Sequence, residues 1–262
     1  MQSKVRTTVI STMVVLGSVW SAANAATTAP LKGRALDERG RPVAGAVVMI
    51  EPVSFSGLVE AKTDASGAFV SVPLNGAVAP FRARAYKVVN YNGQRYCVRL
   101  APETAADAEL FNPSSRPVRN FRWRMTGATG DAPDAIGSDA WGGSISFSNR
   151  INIDSNEPEY VKPDDKIELT MVPRGPLIDG STGRTLTKVV RAKDIVANLP
   201  VGWYGVTAKL VRSDGTKESL KVSMSYYDEE PASSVDFMFK GFENCGHTGT
   251  FVRTPLYVSR TP

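Results

Sequence analysis

The chemistry open to this chain is narrowed first by its imidazole count. His247 is the only histidine among 262 residues. Any metal site built on two histidines is therefore closed to the chain by itself, and a Ser–His–Asp triad would have to use His247. That residue sits in Glu243-Asn244-Cys245-Gly246-His247-Thr248-Gly249, a run of turn formers, and no G-x-S-x-G nucleophile elbow occurs. Cys245 and His247, with Cys97 as a third ligand, make a weak metal or thiolate set. The spacing reads better as a loop histidine beside a disulfide. Paired acids occur at Asp164-Asp165, after Pro163, and at Asp228-Glu229-Glu230, before Pro231. Both read as solvated turn punctuation. Asp154, Asn156 and Glu157 supply oxygen ligands but lack EF-hand spacing, and they read as a polar loop. The sequence assigns no catalytic residue, no metal and no cofactor, and the chain is read as a non-enzyme.

Binding chemistry is better represented. Arg119, Arg122 and Arg124, with Arg116 close by and Arg82 and Arg84 further off, could clamp carboxylate or phosphate groups in two-pronged fashion. The plain alternative is a solvated strand face charged to discourage edge pairing. Trp141 lies in Asp139-Ala140-Trp141-Gly142-Gly143, where an exposed loop ring could stack on a sugar; a tryptophan packed between sheets is the commoner case. The segment Pro173 to Thr185 reads as a structured turn system without the lysine of a phosphate-binding loop.

Strands must position these groups, because helical periodicity is nearly absent. The runs Ala46–Ile50, Leu58–Thr63, Ala68–Val72 and Phe81–Val89 read as strands, and Asn92-Gly93 predicts a tight hairpin from Lys87–Tyr91 into Gln94–Leu100. A helical turn is expected between Pro102 and Phe111, stopped by Asn112-Pro113. From Val118 a second region follows. Phe121, Trp123 and Met125 alternate with Asn120, Arg122 and Arg124, giving an apolar side and a basic side. Thr126–Gly143 is then a long loop, and strands are expected at Ser144–Ile153, Lys166–Val172, Leu186–Arg191, Gly205–Arg212, Ser219–Tyr226 and Val235–Phe239. Between Arg95 and Leu100, Tyr96, Val98 and Leu100 share a face, which leaves Cys97 opposite the apolar row. With Cys245 as the one other thiol, a Cys97–Cys245 bridge is expected in an oxidising compartment.

The stretch GRALDERGRPVAGAVVMIEP…TDASGAF, from Gly33 to Phe69, places its turn residues at Asp37, Gly40, Pro42 and Asp64–Gly67. It resembles the carboxypeptidase regulatory-like domain, a transthyretin-like β-sandwich. The resemblance implies a fold for residues 31–102 and no activity, because that module is attached to many unrelated proteins. GRPVAGAVVMI also looks like a strand of the intradiol dioxygenases, but that family's iron site needs two tyrosines and two histidines. The zinc carboxypeptidases' catalytic domain has no counterpart here.

Residues 1–25 read as a cleaved signal peptide: Lys4 and Arg6, an apolar stretch from Val9 to Trp20, then Ala23-Asn24-Ala25. The stretch is too short and interrupted for a permanent anchor, and no second span follows. Its removal takes two positive charges from a formal +5, leaving a mild +3 that does not point to nucleic acid. The expectation is an all-β, exported chain, periplasmic or extracellular. It has two β-sandwich modules, residues 31–102 and 118–262, joined by a linker at 103–117. Its expected role is a non-catalytic binding or structural protein engaging a protein or glycan of the cell envelope. A carbohydrate-binding module using Trp141 and an enzyme with a carboxylate-based site are the alternatives.

Overall fold

The computed structural model describes residues 28–129, 140–150, 160–227, 230–241, 245, 251 and 253–260. The expected signal peptide, His247, and the Asp154–Glu157 loop fall outside them. The described chain is all β apart from short turns of helix.

The first sheet contains β1 (Thr28–Asp37), β2 (Val47–Pro52), β3 (Val59–Lys62), β4 (Ala68–Asn75), β5 (Phe81–Tyr91), β6 (Gln94–Pro102) and β7 (Phe121–Trp123). Their order is β3-β2-β5-β6-β7-β1-β4, with β1 parallel to β7 and the other pairs antiparallel. Alternation decides which side is buried. Phe81, Ala83 and Ala85 on β5, Tyr96, Val98 and Leu100 on β6, and Phe121 and Trp123 on β7 all point inward. Phe69 of β4 meets Phe121 with ring centroids 6.2 Å apart. Each buried phenylalanine, valine or leucine among these contributes about 1.5–3 kcal/mol.

Turn chemistry closes the strands. The Asp64 carboxylate accepts the N–H groups of Ser66 and Ala68 at 2.8 and 3.1 Å. Asn92 and Gly93 both have positive φ, 46° and 78°, the signature of the tight hairpin that the sequence predicts. Thr104 and Asp107 form a capping box at the start of α1 (Ala105–Ala108), the expected helical turn.

Two expectations are corrected here. The strand expected to open the second module lies in the first sheet, between β6 and β1. Its apolar side completes the first core, so the passage to the second sheet comes after Trp123, not at Val118. Residues 103–117 are also no loose linker. Phe81 and Phe111 exchange backbone hydrogen bonds at 2.9 and 3.0 Å, and their rings stack at 5.9 Å.

The second sheet contains β8 (Gly143–Asn149), β9 (Lys166–Pro173), β10 (Leu186–Arg191), β11 (Val196–Leu199), β12 (Trp203–Val211), β13 (Lys217–Ser223), β14 (Val235–Met238) and β15 (Thr254–Arg260). The path is β10-β9-β12-β13-β15-β8-β11, and β14 pairs with the first half of β12. Ile167, Leu169 and Met171 face Val206, Ala208 and Leu210, with Leu220, Val222, Leu256 and Val258 beyond. β1, β11 and β15 were not among the expected strands.

The two cores merge into one apolar cluster. The β5–β6 hairpin carries much of the join. The Trp203 N–H donates to the Tyr91 hydroxyl at 2.9 Å, and that hydroxyl donates to the Pro176 carbonyl at 2.7 Å. The Tyr96 hydroxyl donates to the Phe239 carbonyl at 2.9 Å, and burial pushes its pKa up to about 12. One residue on, Cys97 is bonded to Cys245, with 5.2 Å between their Cα atoms. The bridge matches the expectation that Cys97 turns away from the apolar row.

Candidate functional site

Arginines gather on the outer side of β5, β6 and β7. On β5, Arg82 and Arg84 alternate with the buried Phe81, Ala83 and Ala85, and register sets Arg82 opposite Glu51 of β2. On β6, Arg99 opposes Tyr86 of β5, and Ala101 opposes Arg122 of β7. Arg124 continues that alternation just past β7. Five arginines on neighbouring strands therefore share one side of a sheet.

Their partners divide them. Arg84 Nη2 is paired with Glu51 Oε2, and Arg122 Nη2 with Glu103 Oε1. Arg122 Nη1 also donates to the Asp37 carbonyl at 2.7 Å. Arg99 is buried, with its guanidinium 6.0 Å from the centroid of the Trp141 ring. Arg82 and Arg124 are half-buried and have no ion pair among the described residues. A small hollow beside these side chains is lined by Arg82, Arg84, Arg99, Pro102, Ala108 and Phe121. Two guanidiniums held by glutamates and two left unpaired suit the reception of carboxylate, phosphate or sulfate groups.

The sequence candidates are distributed as follows. Arg122 and Arg124 belong to this face, and Arg82 and Arg84, expected in another module, are neighbours on the same sheet. Arg119 does not join them. It precedes β7 on the side of Phe121, donates to the Val118 and Glu109 carbonyls at 2.9 and 3.2 Å, and lies 5.1 Å from the Phe111 ring centroid. Burial draws its pKa down, against the opposing charges of Asp107 and Glu109. It is a packed clamp on the 109–118 segment.

Trp141 is not an exposed loop ring, which corrects the expectation. It is 2 % exposed, packed on Ala101 and Arg99, and its backbone N–H donates to the Gly127 carbonyl at 2.9 Å. Gly142 explains the placement: a Cβ there would lie 2.6 Å from the Leu199 carbonyl oxygen, so only glycine lets the loop press against β11. The ring cannot stack on a sugar without leaving this site. Trp123 is core, as its alternation predicts. Sequence reading missed Arg99 as a member of the face. The period-two spacing from Cys97 to Arg99 to Ala101 carries that signal.

The other candidates are turn structure. Asp164 is ion-paired with Lys193, and Asp165 accepts the Lys162 N–H at 2.8 Å. The Pro173–Thr185 segment is ordered by Leu177 and Ile178, both buried, and by the Leu177 N–H donating to Ser181 at 2.8 Å. Among the described residues, no group of three or more His, Cys, Asp or Glu side chains is placed to hold a metal ion.

No protein-family model matches the chain, and no curated protein matches it. Solved structures resemble it at low identity. The Bacillus anthracis TIE protein is 12 % identical, over 89 % of this chain and 34 % of its own, with a TM-score of 0.32. A Streptococcal ancillary pilin is 12 % identical, over 90 % of this chain and 63 % of its own, with a TM-score of 0.26. A DUF3823 family protein from Bacteroides ovatus is 10 % identical, over 81 % of this chain and 99 % of its own, with a TM-score of 0.24. The chain spans about a third of the first structure's length and under two thirds of the second's. At these scores no role passes from them to this chain.

Proposed function

We propose that this is an exported, non-catalytic binding or structural protein that engages an acidic group of a cell-envelope protein or glycan on the arginine face of its first sheet. The observation that carries the reading is the pair of half-buried guanidiniums, Arg82 and Arg124, which have no ion pair among the described residues and stand beside Arg84 and Arg122 in their glutamate pairs. Partly desolvated guanidiniums hold an oxyanion more tightly than fully solvated ones. We read residues 31–102 as a carboxypeptidase regulatory-like module, a reading supported by the turns at Asp37–Gly40 and Asp64–Gly67.

The test is binding of the protein to isolated envelope fractions across a salt series. Charge reversal at Arg82→Glu and Arg124→Glu should weaken binding about tenfold or more, and the residual binding should lose its salt dependence. Neither side chain holds another element by an ion pair, so the variant should fold. Unchanged affinity and salt slope would remove this face as the site.

A further inference from the structure

A separate surface lies on the outward side of the second sheet, remote in sequence from the arginine face. Tyr257 of β15 stands between the buried Leu256 and Val258, so its ring points outward. Register places Ser223 of β13 on one side of it and Ser148 of β8 on the other. The Tyr226 ring meets Tyr257 at 5.6 Å and Tyr227 at 4.5 Å, both at 72°. The backbone beneath is tied down. Ser223 Oγ donates to the Ser225 carbonyl at 2.6 Å, and the Tyr227 N–H donates to Ser225 Oγ at 3.3 Å. Tyr227 is nevertheless 83 % exposed, more than any other large hydrophobic side chain described. None of the three phenol hydroxyls has a hydrogen-bond partner among the described residues.

Tyr226 and Tyr257 are half-buried, but holding the exposed Tyr227 ring against Tyr226 costs side-chain entropy with little return of burial. Their chemistry suggests an occupant. Each phenol offers an apolar face and a free hydroxyl, and Ser148 and Ser259 add hydroxyls on the same side of the sheet. That combination fits a pyranose, with its C–H face and its rim of hydroxyls. The charges beside the platform do not form a patch of one sign: Arg150 lies 4.0 Å from Glu230, and Lys221 stands one strand away, opposite Ser259. We propose that Tyr226, Tyr227 and Tyr257 form a stacking platform for a neutral saccharide chain.

The experiment is calorimetric titration of the protein with cellohexaose, chitohexaose and mannohexaose. Saturable binding of at least one is expected. Tyr227→Ala, at a side chain that supports no core, should weaken it about tenfold. The Arg82→Glu/Arg124→Glu variant should bind the same hexasaccharide as the parent does, which separates this site from the arginine face. No binding of any of the three would overturn the proposal. So would binding that survives Tyr227→Ala, or binding lost only with the arginines.

Discussion

Asp37 ends β1 with a carboxylate that collects donors from the turn after it. Burial alone would raise its pKa. The Arg41 N–H at 2.8 Å, the Arg41 guanidinium at 2.6 Å and the Arg39 N–H at 2.9 Å together outweigh burial and hold it below the ordinary value of 3.8. A carboxyl whose pKa is lower folded than unfolded binds fewer protons in the native state between the two values. Its stabilisation is therefore complete above the unfolded pKa and is lost as pH falls through the folded one. Urea midpoints measured from pH 6 to pH 2 should fall steeply below pH 4 in the parent. In Asp37→Asn the stability should be lower at pH 6 and its acid slope shallower, so that the two proteins converge toward pH 2. Residue roles were unequally readable: alternation assigned Trp123 to the core, while Trp141 had no strand pattern around it. Its burial depends on Ala101 and Arg99, about forty positions earlier in sequence.

At the scale of elements, two glycines separate two kinds of constraint. A Cβ on Gly33 of β1 would lie 1.7 Å from the Arg119 carbonyl oxygen, backbone against backbone, so Gly33→Ala must push β1 away from the segment before β7. Gly93, at φ 78°, has nothing within 4 Å, so Gly93→Ala is charged only for its left-handed backbone. Chemical denaturation should show losses of about 3 kcal/mol for the first and about 1–2 kcal/mol for the second. Local chemistry of this kind was legible: Asn92-Gly93 specifies a hairpin by itself, and β9 and β10 begin where alternation placed them. β1 was not, because Pro30, Lys32 and Gly33 interrupt its apolar rhythm, and β15 carries Pro255 in a seven-residue run. β7 shows the harder limit. Three residues that pair in parallel with β1 and antiparallel with β6 hold no local record of which sheet they join.

At the scale of the whole molecule, the bond between Cys97 and Cys245 closes a loop of 148 residues. The chain-entropy estimate for a loop of that length is about 5 kcal/mol. Replacing both cysteines by alanine should lower the unfolding free energy by up to that amount, read from urea curves of parent and variant. A loss under about 1 kcal/mol would mean that the hairpin tyrosines already hold the tail. The existence of this bond was readable because only two thiols are available. The merger of the cores through Tyr91 and Tyr96 was not, since it depends on backbone groups at Pro176, Trp203 and Phe239. The bond also decides how the chain would carry mechanical load. A pull applied through the segments that flank the two cysteines passes straight across the disulfide from β6 to residue 245. Every strand from β7 to β14 lies inside the bypassed loop. Under tension the covalent path is short, and every strand of the second sheet except β15 is shielded from stretching.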